Sequence, residues 1–183
     1  MDVAELEFQR IYDAYQPRLL RYLVRLVGEY EAEDLAQEVF VKINQGLKTF
    51  RGESQLSTWL YRIATNAAID KMRTASFRQD TQLSFLEDSD EPEDKNVWTG
   101  EETPSLEQQL MRKEMIECFV DYVLRLPPNY RTVVVLSELE ELPNAEIAEI
   151  LGLSLETVKI RLHRGRGKLF KELKTHCKPE DWL

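Results

Sequence analysis

The sequence predicts an all-α protein of two small helical domains joined by a flexible acidic linker, the C-terminal domain containing a helix-turn-helix. Apolar residues recur at three- and four-residue steps on both sides of an acidic, proline-containing segment, which is the spacing of amphipathic helices. Near the C-terminus a short apolar helix, a glycine and a second, cationic helix follow one another. Two helices joined by a short turn containing glycine form a helix-turn-helix.

The composition excludes several classes of protein. With 43% hydrophobic and 31% charged residues among 183, the chain is too apolar to be disordered throughout. No run of 18 apolar residues occurs, so we expect no membrane insertion. The N-terminus lacks the pattern of a signal peptide. Cys118 and Cys177, the two cysteines, predict no disulfide framework, and a reducing cytoplasm is the simplest location.

Charge is sorted along the chain, although its formal net charge is −9. Residues 80–104 carry nine acidic residues and one lysine, with two prolines and few aliphatic residues. Such a segment cannot bury enough apolar surface to fold alone. We interpret residues 80–104 as the linker, residues 1–79 as the N-terminal domain, residues 105–178 as the C-terminal domain and residues 179–183 as a tail.

Three helices are expected in the N-terminal domain. The first carries an apolar stripe from Ile11 to Leu26 and stops at Gly28, and the second ends near Gly46. The third is "STWLYRIATNAAIDKMR", with Ser57 as a possible N-cap. The buried stripes of the second and third helices are expected to contain Leu35, Val39, Ile43, Leu60, Ile63, Ala64 and Ala67.

The C-terminal domain is also expected to be helical. The segment "LEQQLMRKEMIECFVDYVLRL" forms a helix that Pro127 and Pro128 end. The next segment, "NYRTVVVLSELEEL", is ambiguous because consecutive valines favour a strand. Its helical surroundings, and the lack of a strand to pair with, favour a helix.

The helix-turn-helix is predicted from its caps and its turn. Asn144 can cap a first helix whose inward residues are Ile147, Ala148 and Leu151. Gly152 suits the left-handed residue at the end of that helix. Ser154 can cap the second helix, and Glu156 lies in the first turn of that helix, where the helix dipole favours an acid.

The second helix has a cationic outer face that fits DNA. Between Leu155 and Lys178 there are eight basic residues and two acidic ones. Arg164 could read guanine and Ile160 could contact a thymine methyl group in the major groove, with His163 on the same face. Lys159, Arg166 and Lys168 are better placed for phosphates. The alternative interpretation of this helix is an ordinary solvated surface helix. The inward stripe of the second helix is expected to contain Val158, Leu162, Gly165, Leu169 and Leu173.

Two motifs in this order resemble a known family. Residues 33–73, "EDLAQEVFVKINQGLKTFRGESQLSTWLYRIATNAAIDKMR", and the distant "ETVKIRLHRGRGKL" resemble the extracytoplasmic-function (ECF, group 4) sigma factors of the sigma-70 family. These are two-domain specificity subunits of bacterial RNA polymerase. The resemblance implies that residues 1–79 are sigma region 2 and residues 105–178 are sigma region 4. It therefore implies that the partners are core RNA polymerase and promoter DNA.

The resemblance assigns a polymerase-binding surface to the helix carrying "DLAQEVF". In the family this helix docks on the clamp helices of the largest polymerase subunit, while the C-terminal domain meets the polymerase flap. The outward residues here are Asp34, Gln37, Glu38 and Val41. Acidic residues on such a face would give orientation and association rate to a complex with a basic surface. Without the resemblance, an ordinary solvated acidic face is the preferred interpretation.

The resemblance also implies that "FRGESQLSTWLYRIATN" melts the promoter and binds its −10 element. An opened strand needs a site that holds bases and follows the backbone with cations. The predicted −10 residues are Leu56, Tyr61, Arg62, Asn66, Lys71 and Arg73. Leu56 stands in the loop that captures a base, where relatives often carry an aromatic residue. Trp59 is expected in the core, and Tyr61 can be either core or contact.

The function predicted from these residues is promoter recognition and transcription initiation, including stress response, with an anti-sigma factor as a partner usual in the family. The acidic linker then threads towards the active-centre and RNA-exit channels, or serves only as a solubilising tether. No metal or cofactor is expected, because CxxC, HExxH and glycine-rich phosphate motifs do not occur in the sequence. Catalysis is not expected either. The alternatives are a free-standing helix-turn-helix regulator and a helical protein-binding adaptor.

Overall fold

The computed structural model describes residues 3–78 and 119–176, with side chains described for residues 6–74 and 119–173. Regular structure in these ranges is helical throughout, which confirms the all-α prediction. The linker, residues 105–118 and the tail lie outside the described residues. The helices are α1 (Val3–Val27), α2 (Glu29–Leu47), α3 (Leu56–Arg78), α4 (119–125), α5 (Pro128–Val134), a π-helical turn (Val135–Leu139), α6 (Asn144–Leu151) and α7 (Leu155–His176).

Helices α1, α2 and α3 pack around an apolar core. The predicted stripes supply this core, and each fully buried large apolar side chain contributes about 1.5–3 kcal/mol. Gly28 separates α1 from α2 with φ 86°, a value that glycine adopts freely. The end of α2 passes close to α3, since a Cβ on Gly46 would lie 2.9 Å from Trp59. The large side chains buried in this core include Leu19, Tyr22, Leu23, Leu26, Val39, Ile43 and Leu60.

Two predicted helix caps are wrong. Helix α3 begins at Leu56, and the Trp59 amide donates to the Gln55 carbonyl at 3.1 Å, so Ser57 lies inside the helix. Leu56 is partly buried against the core, which favours the earlier start. Helix α6 begins at Asn144 itself, because the extended Pro143 takes the N-cap position and accepts a bond from Ile147 at 3.0 Å. Cap preference is local, and packing or a neighbouring proline can shift the boundary by one or two residues.

The ambiguous valine-rich segment is helical, as predicted. Pro127 caps α5 and Pro128 takes its first position, where a missing N–H costs nothing. Helix α5 runs into the π-helical turn, which the Glu140 amide closes by donating to the Val135 carbonyl at 3.1 Å. The valines of this segment are fully buried. Burial in a helical core therefore outweighs their preference for strands.

The helix-turn-helix has the predicted turn. Gly152 is left-handed, with φ 62° and ψ 35°. The side-chain oxygen of Ser154 accepts a hydrogen bond from the Thr157 amide at 3.1 Å, which makes Ser154 the cap of α7. Ile150 is 1% exposed and is the main inward residue that the sequence interpretation of α6 missed. The predicted stripe of α7 is buried at Val158, Leu162, Gly165 and Leu169, and Leu173 is half-buried.

The two domains contact each other directly. Helices α1 and α3 of the N-terminal domain pack against α5, the π-helical turn and α6. Their buried residues form one continuous apolar cluster. Within residues 3–78 and 119–176, none of the helices has the length and apolar character needed to cross a membrane.

Candidate nucleic-acid interface and interdomain contact

Helix α2 presents a continuous outward surface, which we call the α2 acidic surface: Asp34, Gln37, Glu38 and Val41. All four residues are exposed, and Val41 is 56% exposed although it is apolar. Tyr30 continues this row one turn earlier and is 94% exposed. The sequence interpretation missed Tyr30. The signal for it was an aromatic residue four positions before Asp34, on the same helix face.

Lys71 lies beside the α2 acidic surface, on the side of α3 opposite Arg62. Its ammonium group is 2.5 Å from the Glu31 carboxylate. That hydrogen bond raises the pKa of Lys71, and the nearby charges of Glu38 and Asp34 add to the effect. Lys71 follows Arg62 by nine residues, which places the two side chains on opposite sides of a helix at 100° per residue. Lys71 and Arg62 therefore lie on different sides of α3, and the role of Lys71 at the −10 element stays a prediction.

The remaining −10 residues divide into exposed and covered ones. Asn66 and Arg73 are exposed on the outer face of α3. Arg62 is only half-exposed, because its guanidinium donates to the Glu149 carbonyl oxygen at 3.1 Å and to its carboxylate at 3.3 Å. Leu56 is partly buried against the core. In this arrangement Asn66 and Arg73 are the freely accessible part of the predicted site.

Tyr61 is fully buried, so its predicted DNA contact is not accessible in this arrangement. Its ring packs edge-on against Tyr22, with ring centroids 5.0 Å apart. Its hydroxyl donates a hydrogen bond to the Glu140 carboxylate. Burial, together with the Glu140 charge, raises the pKa of Tyr61. Trp59 is half-buried and packs on Phe50 at 4.9 Å, which agrees with its expected place at the core.

Glu140 is a buried carboxylate of the C-terminal domain whose partners belong to the N-terminal domain. The Arg25 guanidinium donates to one carboxylate oxygen at 2.8 Å. The Arg18 guanidinium lies 3.4 Å from the other oxygen, which also accepts from Tyr61. We call Arg18, Arg25 and Tyr61 the Glu140 cage. Sequence interpretation missed this cage, since only the seven-residue spacing of two arginines on one face of α1 hinted at it.

A cavity borders the Glu140 cage. It has a volume of about 340 Å³ and is lined by Arg18, Arg21, Arg25, Leu139, Glu140 and Glu141. Glu141 has φ 55° and is the non-glycine residue with positive φ among those described. For an L-residue this conformation costs about 1–2 kcal/mol. This turn directly follows Glu140, whose carboxylate contacts side chains of α1 and α3.

The outward face of α7 carries the predicted −35 residues. Lys159, Ile160 and His163 are exposed, and Ile160 is 44% exposed despite being apolar. Arg164 is half-buried beside them. Together these side chains combine two cations, an apolar contact and a hydrogen-bonding ring on one face of a helix. A face of this composition can enter a major groove.

Two flanking cations of α7 have partners within their own domain. Arg166 donates to the Glu138 carboxylate at 2.6 and 2.8 Å. Lys168 lies over the Tyr130 ring, 5.5 Å from its centroid. Both side chains remain exposed, so either can also approach a phosphate. The sequence pattern placed these residues on the helix flank but could not show that they were already paired.

In residues 3–78 and 119–176 no group of three or more His, Cys, Asp or Glu side chains is arranged to hold a metal ion. His163 points outward on α7 and is exposed. Its position suits contact with a macromolecule.

Comparisons with known proteins agree with this division into two domains. The family model "Sigma-70 region 2" matches residues 11–78, and "Sigma-70, region 4" matches residues 116–169. "ECF RNA polymerase sigma factor SigW" of Bacillus subtilis is 36% identical over 180 residues, covering 91% of this chain and 89% of that protein. "RNA polymerase sigma factor YlaC" of Bacillus subtilis is 39% identical over 165 residues, covering 89% of this chain and 90% of that protein.

The fold is similar to those of solved structures, one of which is the sigma factor RpoE in complex with the anti-sigma factor NepR from Bartonella quintana. The TM-score is 0.64 at 23% identity, and the match covers 93% of this chain and 98% of that chain.

Proposed function

The chain belongs to the ECF sigma factors of the sigma-70 family, and we propose that it binds core RNA polymerase, melts the −10 element of specific promoters with its N-terminal domain and reads the −35 element with α7. Two separate family matches in the order of the two domains carry this proposal. Residues 1–79 act as region 2, residues 105–178 as region 4, and residues 80–104 connect them. The chain acts in the cytoplasm and is not itself an enzyme; the polymerase performs the chemistry.

The α2 acidic surface is the proposed polymerase contact. Its acidic residues and Val41 are exposed on one helix face, and Tyr30 extends that face with a large exposed ring. Exposed apolar side chains within a polar surface are typical of a protein-binding site. The acidic residues steer a basic partner surface, and Tyr30 and Val41 supply the apolar contact. A second contact joins the C-terminal domain to the polymerase flap.

DNA recognition is divided between the two domains. On α3, Asn66 and Arg73 hold the opened −10 strand, joined by Arg62 when it is released from Glu149. On α7, Ile160, His163 and Arg164 read base edges while Lys159, Arg166 and Lys168 contact phosphates. Each domain alone offers few contacts. The polymerase makes them effective by holding both domains over one promoter, since effective concentration then replaces intrinsic affinity.

Regulation by an anti-sigma factor is part of the proposal. The fold resembles that of a sigma factor solved with an anti-sigma factor. A protein that covers the α2 acidic surface would compete directly with the polymerase for this chain.

Run-off transcription tests the proposal. Core polymerase with the purified chain is incubated with sheared genomic DNA, and the new 5′ ends are mapped. We expect initiation from a small set of promoters that share −35 and −10 sequences, and none from core polymerase alone. Tight footprinting of a palindromic duplex by the chain alone, without new initiation, would instead support a free-standing regulator.

A further inference from the structure

The contact between the two domains uses residues that the proposed function needs elsewhere. Arg62 belongs to the proposed −10 site, yet its guanidinium is bound to Glu149 of α6. One turn earlier on the same helix, the buried Thr58 hydroxyl donates to the Glu146 carboxylate at 2.9 Å. Helix α6, the first helix of the helix-turn-helix, therefore covers part of the face of α3 that would meet DNA.

Charged and polar side chains join the two domains through hydrogen bonds. Glu140 is 8% exposed, and both of its carboxylate oxygens are occupied by the Glu140 cage. Arg25 also donates to the Leu139 carbonyl at 3.1 Å. Hydrogen bonds to charged groups are about twice as strong as neutral ones. Arg131 adds a third link, because its guanidinium donates to the Leu26 carbonyl of α1 at 2.6 Å.

The closed arrangement cannot serve both promoter elements. Positions −10 and −35 are separated by about 25 base pairs, or roughly 85 Å of B-DNA. Helix α7 has 22 residues and is about 33 Å long. It follows α6 after a short turn. Its base-reading residues therefore lie within about half of the required distance from α3.

We propose that this chain holds itself in an inactive closed state, in which the Glu140 cage fastens the C-terminal domain over the −10 face of α3. This inference rests on the proposed function, because inhibition means the loss of simultaneous −10 and −35 contacts. Core polymerase then binds the open chain. Because opening the cage costs free energy, the apparent affinity of the chain for core polymerase is lowered. When a ligand binds only one of two states, its apparent dissociation constant equals the intrinsic dissociation constant divided by the fraction of molecules in that state.

Energy transfer between two dyes on the full chain tests the closed state. The dyes are attached through E33C and E156C, on exposed residues of α2 and α7, in a chain with C118S and C177S. Glu140→Lys places a third cation beside Arg18 and Arg25, so we expect the energy transfer to fall. Asp121→Lys is the matched control. It makes the same charge change in the C-terminal domain at an exposed residue of α4 that does not line the cavity beside the cage, and we expect the energy transfer to be kept.

A second variant keeps the test decisive if Glu140→Lys does not fold. Glu149→Arg opposes Arg62 at the rim of the contact, where both side chains are about half exposed, and is expected to lower the energy transfer less than Glu140→Lys. Circular dichroism confirms that each variant is helical. If Glu140→Lys is not helical, Glu149→Arg alone decides. Unchanged energy transfer in the helical variants overturns the proposed closed state.

Binding to core polymerase decides whether the closed state inhibits. We expect Glu140→Lys to bind core polymerase about tenfold more tightly than Asp121→Lys. If the two variants bind core polymerase with equal affinity although the energy transfer of Glu140→Lys is lowered, the proposal that the closed state inhibits is overturned. The proposed function is judged separately by run-off transcription of the parent chain. No initiation by the parent or by an opened variant would contradict the sigma-factor role whatever the energy transfer shows.

Discussion

Arg131 of α5 donates a 2.6 Å hydrogen bond to the carbonyl oxygen of Leu26 near the end of α1, a contact that spans 105 residues of sequence. The same guanidinium donates to the Leu124 carbonyl and, at 3.0 and 3.2 Å, to the Leu126 carbonyl. Burial lowers the pKa of Arg131 to about 10. One side chain thereby satisfies the carbonyl groups at two helix ends and joins the two domains.

Replacing Arg131 should therefore destabilise the protein. Arg131→Met keeps the apolar stem but leaves the carbonyl groups of Leu26, Leu124 and Leu126 without their partner, at a cost of about 2–4 kcal/mol. Urea unfolding followed by circular dichroism measures the change. The control is Arg125→Met, an exposed arginine stacked on Tyr122 at 5.0 Å, for which we expect less than about 1 kcal/mol. An equal loss in both variants would show that the carbonyl contacts contribute nothing specific.

Two glycines of α7 should respond oppositely to alanine. A Cβ on Gly165 would lie 2.8 Å from the Val134 side chain and 3.3 Å from Tyr130. Overpacking costs about 1–3 kcal/mol, which exceeds the gain in helix propensity of about 1 kcal/mol. Gly167 has open space around it, so G167A should stabilise the helix by up to about 1 kcal/mol. Thermal unfolding of both variants tests the pair, and a stabilising G165A would contradict the close packing of α5 and α7.

Charge reversal on α2 should weaken polymerase binding. The double variant D34K/E38K places two cations on the α2 acidic surface, and we expect core affinity to fall about tenfold or more, mainly through a slower association rate. The control is E7K/D13K, which makes the same charge change at two exposed residues of α1, outside the α2 acidic surface. Surface plasmon resonance with immobilised core polymerase separates the two rates. A similar loss for E7K/D13K would indicate general electrostatic attraction without a defined surface.

Substitutions on the outward face of α7 should distinguish residues that contact bases from residues that contact phosphates. In the holoenzyme, Arg164→Ala is expected to cost about 1–3 kcal/mol at one base pair of the −35 element and to relax selectivity there. Lys159→Ala should weaken binding equally across promoter sequences and lower the log–log salt slope by about 0.9. Competition binding with a set of single-base promoter variants distinguishes the two. A uniform loss for Arg164→Ala would make it a phosphate contact.

Alkaline pH should loosen the contact between the domains. Burial and the Glu140 charge raise the pKa of Tyr61 above its ordinary value of 10.0. A group whose pKa is raised by folding contributes stability that is fully present below its unfolded pKa and is lost as the pH rises through its folded pKa. Energy transfer between the domains should therefore decrease above about pH 10. Tyr61→Phe removes this titration, so a pH profile unchanged by the substitution would exclude Tyr61 as its source.

Local signals in the sequence determined most of the individual helices. Period, caps and glycine positions act within a few residues, so the left-handed Gly152, the Ser154 cap, the buried stripes and the inward position of Gly165 could all be predicted. Exposure of Asp34, Gln37, Glu38 and Val41 followed from the same periodicity. For the same reason the cap positions at Ser57 and Asn144 were wrong by only one or two residues.

Only the tertiary structure decided which polar side chains are free to act. Tyr61 and Arg62 meet Glu140 and Glu149, partners that are 79 and 87 residues away, and Lys71 turns towards Glu31 on a neighbouring helix. A helical period tells which face a side chain occupies but not which distant element covers that face. The sequence by itself therefore determined the two domains and their charged surfaces. The packing of one domain on the other determined which part of the −10 surface is exposed, because that packing depends on contacts between residues far apart in the chain.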